Sequence, residues 1–141
     1  MLIVTTVGAR TLVLTDEDDG HVYFRLSMRD GDRFAVTYTH SVHLTPVIEI
    51  YEVRDRDIYV VEARFYTFGA GMQTEYPEGV TWSYAEDGAI VLTGYNIYCK
   101  DLIYCVSKAY DHVLTYNNKD YSLGQICGRG SLVVFDIESV L

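Results

Sequence analysis

Apolar and polar residues alternate along most of this chain. In residues 33–39, Phe34, Val36, Tyr38 and His40 fall on one side, and Ala35, Thr37, Thr39 and Ser41 on the other. A period of two is that of a β-strand. Residues 21–27 repeat it, with Val22, Phe24 and Leu26 set against Tyr23 and Arg25. The same reading predicts strands over residues 2–7, 10–15, 47–53, 58–68, 80–85, 89–95, 97–106, 112–116 and 131–137. In residues 58–68 it places Ile58, Val60, Glu62, Arg64 and Tyr66 on one face. Lys100-Asp101 leaves open a hairpin turn inside residues 97–106. Residues 121–126 read as a short helical turn, because Ser122 is a capping residue and Leu123 and Ile126 share a face.

Turn chemistry separates these runs. Asp30-Gly31 and Asp87-Gly88 suit the positive φ of hairpin turns, and residues 55–57 and 117–120 are further turn signals. Asp16-Glu17-Asp18-Asp19-Gly20 spaces its acids as a calcium loop does. Leu26 stands where such a loop needs its bidentate Glu, so an acidic hairpin turn is expected. Pro46 cannot donate to a ladder and marks a strand start or an edge. Residues 69–79 form the longest irregular stretch. The class expected is all-β: an antiparallel β-sandwich or partly open barrel of about ten short strands. No repeat or linker divides it, so residues 1–141 are expected to be a single domain.

Composition narrows the function. The 141 residues are 49% hydrophobic and include 13 tyrosines, a strand-like bias. Eleven basic residues are scattered among twenty acidic ones, for a net charge of -9. Nucleic-acid binding needs clustered Lys and Arg, so no nucleic-acid partner is expected, and docking on anionic lipid is disfavoured for the same reason. No window supplies the roughly twenty apolar residues of a membrane-spanning helix. The residues after Met1 lack the basic and apolar regions of a signal peptide. Cys99, Cys105 and Cys127 are odd in number and form no CxxC pair, so no cysteine zinc site is expected. Free, half-buried thiols are expected, with a Cys127 disulfide to either of the others left open.

Candidate chemistry concentrates at the corner between residues 33–39 and 47–53. It holds His40, Ser41, His43, Thr45 and Glu49. Glu49 lies on a strand that is apolar on both faces. A buried carboxylate costs several kcal/mol unless it is paired, and His40, His43 and Arg64 are the expected partners. Glu, His and Ser are the residue types of a hydrolytic triad. Adjacent strand residues point to opposite faces, however, and no Gly-x-Ser-x-Gly elbow is present. His40, His43 and Glu49 also have the donor types of a metal set, although hydrogen-bonded histidines are the preferred reading and no metal or cofactor is expected. Gly69, Ala70 and Gly71 complete the candidate binding set, since glycines let backbone amides approach an anion or a neighbouring chain. A bulge or tight corner is the alternative there.

These motifs together carry a resemblance. Gly31-Asp32-Arg33-Phe34, residues 38–42, residues 45–49 and Phe68-Gly69-Ala70-Gly71 resemble a bacterial family, domain of unknown function 1850. The resemblance extends to Asp111-His112-Val113-Leu114, Leu123 and residues 128–134. It implies a non-enzymatic, extracytoplasmic accessory protein, periplasmic or membrane-anchored, associated with a TAXI-type TRAP solute transporter. The partner implied is the transporter's membrane subunit or its solute-binding protein. The family's export segment is not expected within residues 1–141, and Met72-Gln73-Thr74 follows the Gly-Ala-Gly segment where a proline is usual. No catalytic residue carries over. The alternative is a stand-alone β-module that binds a small ligand or a metal.

Overall fold

A computed structural model describes residues 8–66, 78–94 and 96–139. It is an all-β sandwich of two antiparallel sheets, neither closed into a barrel. β1 (Ala9–Asp16), β2 (Val22–Arg29), β9 (Leu102–Cys105) and β12 (Leu132–Ser139) form one sheet, in the order β2-β1-β12-β9. The larger sheet runs β11 (Lys119–Ser122), β10 (Val113–Tyr116), β3 (Arg33–Thr39), β4 (Pro46–Arg54), β5 (Asp57–Phe65), β7 (Ile90–Thr93), β6 (Thr81–Tyr84). β8 (Ile97–Tyr98) joins it by pairing with the start of β5. One helical turn among the described residues, α1 (Leu123–Ile126), is capped by the Ser122 side chain, which accepts the Gln125 N–H.

The period-two faces become the sandwich interior. Leu12 and Leu14 of β1, Phe34 and Val36 of β3, Tyr51 and Val53 of β4, and Val133 of β12 are essentially buried. Each fully buried side chain of this size contributes about 1.5–3 kcal/mol. The Phe34 ring packs between the two sheets, 5.2 Å from Tyr51 and 6.1 Å from Phe135. A second cluster, Val47, Phe65, Ile90 and Leu92, lies farther along the larger sheet.

Three local expectations change. The run 97–106 is neither one strand nor a hairpin. At Lys100-Asp101 the chain leaves the larger sheet as β8 and enters the smaller one as β9, because its two halves pair with different strands. The faces of β5 switch part-way: Tyr51 pairs with Val60 but Ile50 with Glu62, leaving Val61 as the extra residue of a bulge. Ile58 and Val60 therefore share the inner side with Ala63 and Phe65, while Glu62 and Arg64 stay outside. The turn expected over residues 117–120 shrinks to Asn117-Asn118, both at positive φ (54° and 61°), and Lys119 already pairs with Tyr116. The split of 97–106 and the added β11 raise the count to twelve strands among the described residues. The strand expected over residues 2–7, the loop 69–77 and the Gly69-Ala70-Gly71 segment lie outside them.

Candidate functional site

The β3–β4 connection turns in six residues, and His40 builds it. The His40 N–H donates to the Thr45 carbonyl at 2.8 Å, and the Leu44 N–H donates to the His40 carbonyl at 2.9 Å. The imidazole Nδ1 accepts from the backbone N–H groups of Val42 (3.2 Å) and His43 (3.3 Å). That use as an acceptor makes His40 the Nε2–H tautomer when neutral. The turn forces Leu44 to φ 55°, a left-handed conformation that costs a non-glycine residue roughly 1–2 kcal/mol. It also leaves Val42 65% and Leu44 60% exposed at its tip. Ser41 is exposed and Thr45 half-buried.

The two histidine rings lie 5.0 Å apart. His43 Nε2 is buried without a hydrogen-bond partner. A buried polar atom in that state costs about 1–3 kcal/mol. With the His40 Nδ1 engaged by backbone donors, no Ser41–His40 hydrogen bond forms among the described residues. Nor do three or more His, Cys, Asp or Glu side chains among them group as a metal set.

Glu49 does not meet the histidines or Arg64. Its carboxylate is held by two phenols: Tyr38 donates to Oε1 at 2.6 Å and Tyr51 to Oε2 at 2.8 Å. The Tyr51 hydroxyl is also 2.6 Å from that of Tyr104, on the opposing sheet. Arg64 pairs with Glu62 at 2.9 Å on the outer face. The reason is directional. Tyr38, Glu49 and Tyr51 point inward by strand period, whereas the histidines sit in the turn beyond the last ladder pair, Thr39 with Pro46.

His112 closes this network. It precedes β10, is only 7% exposed, stacks on Tyr38 at 5.3 Å and meets the edge of Tyr104 at 5.7 Å. Its Nδ1 accepts the Ser107 N–H at 3.3 Å. Burial pushes its pKa below the ordinary histidine value, against the opposing pull of the Asp111 and Glu49 carboxylates. Burial, reinforced by the Glu49 charge, raises the Tyr38 and Tyr104 phenols. For Tyr51, burial comes first and the neighbouring Tyr104 and Glu49 add to it. Two charge-assisted hydrogen bonds thus hold Glu49 within the larger sheet, and the neutral Tyr51–Tyr104 bond ties that group to the smaller sheet. The three thiols are unpaired: Cys127 is buried, Cys99 half-buried and Cys105 exposed. Burial raises the Cys127 thiol to about 11.

The sequence reading selected Glu49 but not Tyr38, Tyr51, Tyr104 or His112. Tyr38 and Tyr51 were findable, since strand period places Tyr51 beside Glu49 and the short corner brings Tyr38 across from them. Tyr104 and His112 arrive by pairings that no local pattern reports.

A family model described as a domain of unknown function, DUF1850, matches residues 34–123. This chain belongs to that family. The match holds β3 through β11, and with them the corner and every member of the Glu49 network. It leaves out β1, β2 and β12, three of the four strands of the smaller sheet. No curated protein and no solved structure matches the chain.

Proposed function

We propose that this DUF1850 domain is a non-enzymatic, extracytoplasmic accessory component of a TAXI-type TRAP solute transporter, and that it docks on a transporter subunit through the β3–β4 corner. The observation that carries the reading is the corner's tip. Val42 and Leu44 stand more than half exposed on a turn whose backbone is fixed by the His40 imidazole, the His40 N–H and the His40 carbonyl. Exposed apolar side chains on a pre-ordered loop suit a protein partner, because less entropy is lost on docking. Backbone strain such as that at Leu44 collects where a loop has work other than stability. The transporter link itself comes from the motif resemblance, which spans the same corner.

The test is co-purification from membranes in which the domain is expressed with the transporter membrane subunit and, separately, with the solute-binding protein. Leu44→Asn is the informative variant, since asparagine tolerates positive φ and removes the apolar contact. The reading requires capture of one subunit by the wild type and loss of capture by a folded Leu44→Asn. Equal capture by both, or capture of neither subunit, refutes it.

A second reading, a stand-alone module for a small ligand, is favoured by one feature: the unpartnered His43 Nε2. A thermal-shift screen with small carboxylates and divalent metals separates the two. A ligand at a hundred times its dissociation constant stabilises by about 2.7 kcal/mol, and His43→Phe would abolish that shift.

A further inference from the structure

An open strand edge invites pairing with a foreign strand, and sheets ordinarily guard such edges with charge, proline or a bulge. β2, one edge of the smaller sheet, carries Arg25 and Arg29, and β11, an edge of the larger, carries Lys119 and Asp120. β9, the other edge of the smaller sheet, has no such guard. Leu102-Ile103-Tyr104-Cys105 contains no charge or proline, and its register with β12 is unbroken from Leu102↔Phe135 to Cys105↔Leu132. The Val106 N–H donates to the Ser131 carbonyl at 2.9 Å. By the two-residue period, Leu102 and Tyr104 also turn their backbone groups toward β12, and Ile103 and Cys105 turn theirs outward.

The side chains beside that edge are apolar and open to solvent. Ile103 is 43% exposed and Leu132 42%, and Leu132 lies directly opposite the exposed Cys105. Tyr98, just upstream on β8, is 51% exposed. The Asp57 charge raises its phenol above the ordinary value, with burial, Tyr59, Asp101 and Asp136 adding to it. Asp101 directly precedes β9 and Asp136 directly follows Phe135, the partner of Leu102, so both of these acids stand at that end of the edge. None of the three aspartates is in an ion pair among the described residues.

We propose that the β9 edge is a strand-addition site for an extended segment of a partner protein whose side chains along one face are two apolar residues followed by Lys or Arg. The outward backbone groups of Ile103 and Cys105 supply the ladder. By the two-residue period Asp101, Ile103 and Cys105 share the outer face, so Cys105 and Ile103, backed by Leu132 on β12, receive the apolar side chains, and Asp101, with Asp136 on β12 behind it, the basic one. Charge selects this occupant over a second copy, which would bring a net charge of -9 against -9. This surface is separate from the β3–β4 corner and stands independently of what that corner binds.

The experiment titrates the nitrogen-15-labelled chain with the end-blocked hexapeptide Thr-Val-Thr-Val-Thr-Lys, whose valines and lysine share one face of an extended strand. Expected are saturable amide shifts centred on Ile103 and Cys105, slowed hydrogen exchange there, and weakening by added salt. Ile103→Lys, at an already exposed position, should weaken binding about tenfold or more without changing the melting temperature. Should that variant misfold, the pair Asp101→Asn and Asp136→Asn serves instead, with loss of the salt dependence expected. Equal affinity for the same hexapeptide with glutamate in place of lysine overturns the proposal. So do shifts centred elsewhere, or none at millimolar peptide. Protection of Ile103 and Cys105 that appears without peptide and grows with protein concentration assigns the edge to a second copy and overturns it too.

Discussion

Replacing Glu49 tests the network at its centre. Glu49→Gln keeps the shape and removes the charge. The amide oxygen still accepts from one phenol, and the amide nitrogen becomes a donor to the other. Tyr51 can serve as that acceptor because the Tyr51–Tyr104 hydrogen bond can run in either direction. Every hydroxyl therefore keeps a partner, and what is lost is charge assistance. A hydrogen bond to a charged group contributes about 1.5–3 kcal/mol and a neutral one about 0.5–1.5. Two bonds at 2.6 and 2.8 Å, partly offset by relief of carboxylate desolvation, put the expected cost at about 1–2 kcal/mol.

Glu49→Ala is a different perturbation. Tyr51 keeps Tyr104, but the half-buried Tyr38 hydroxyl loses its only acceptor among the described residues, and the glutamate methylenes leave a void. The expected cost is about 2–4 kcal/mol. At roughly 3 °C per kcal/mol for a domain of this size, the Gln variant should melt about 3–6 °C below wild type and the Ala variant about 6–12 °C below. Urea unfolding followed by near-ultraviolet circular dichroism of the tyrosines gives the free energies directly. Equal costs for Gln and Ala, or either within about 0.5 kcal/mol of wild type, the range of ordinary surface substitutions, would refute the claim that the phenols depend on this carboxylate.

Further predictions use the same structure. Tyr38, Tyr51 and Tyr104 have raised folded pKa values, so the stability they contribute is present below pH 10 and lost as pH rises beyond it. Spectrophotometric titration should show a tyrosine step at high pH that coincides with unfolding; complete ionisation of the tyrosines with the fold intact would contradict this. His112 has a lowered folded pKa, so its contribution is present above about 6.5 and declines as pH falls toward the folded value. His112→Phe keeps a ring against Tyr38 and should abolish that decline, read as urea midpoints between pH 7 and pH 5. A methyl group added to Gly94 would sit 2.2 Å from the Gly79 carbonyl oxygen at φ +81°, so Gly94→Ala should cost more than about 2 kcal/mol in chemical unfolding. Asn118→Gly should be neutral or stabilising by up to about 0.5 kcal/mol, because the hairpin already holds positive φ there.

What could be read from the sequence follows from what each residue needs its neighbours to be. Strand period, Asp-Gly turns and the Ser122 cap are local, and they located most of the elements. The bulge at Val61 was invisible because Val60 and Val61 are the same residue type and neither marks the face switch. Glu49 was recognisable as a carboxylate in need of partners, since that argument uses only its apolar flanks. Its partners were misjudged because charge was weighed above direction. A histidine or an arginine is the stronger electrostatic match, yet the side chains that hydrogen-bond Glu49 among the described residues stand on the inward face of β3 and β4, and they are Tyr38 and Tyr51. Thirteen tyrosines in 141 residues were read as strand bias, when two of them, Tyr38 and Tyr51, are hydrogen-bond donors to Glu49. In a sandwich, the residue type of a buried acid's partner is set first by the face parity of the strands beside it, and electrostatic preference chooses only among the side chains that parity has already turned inward.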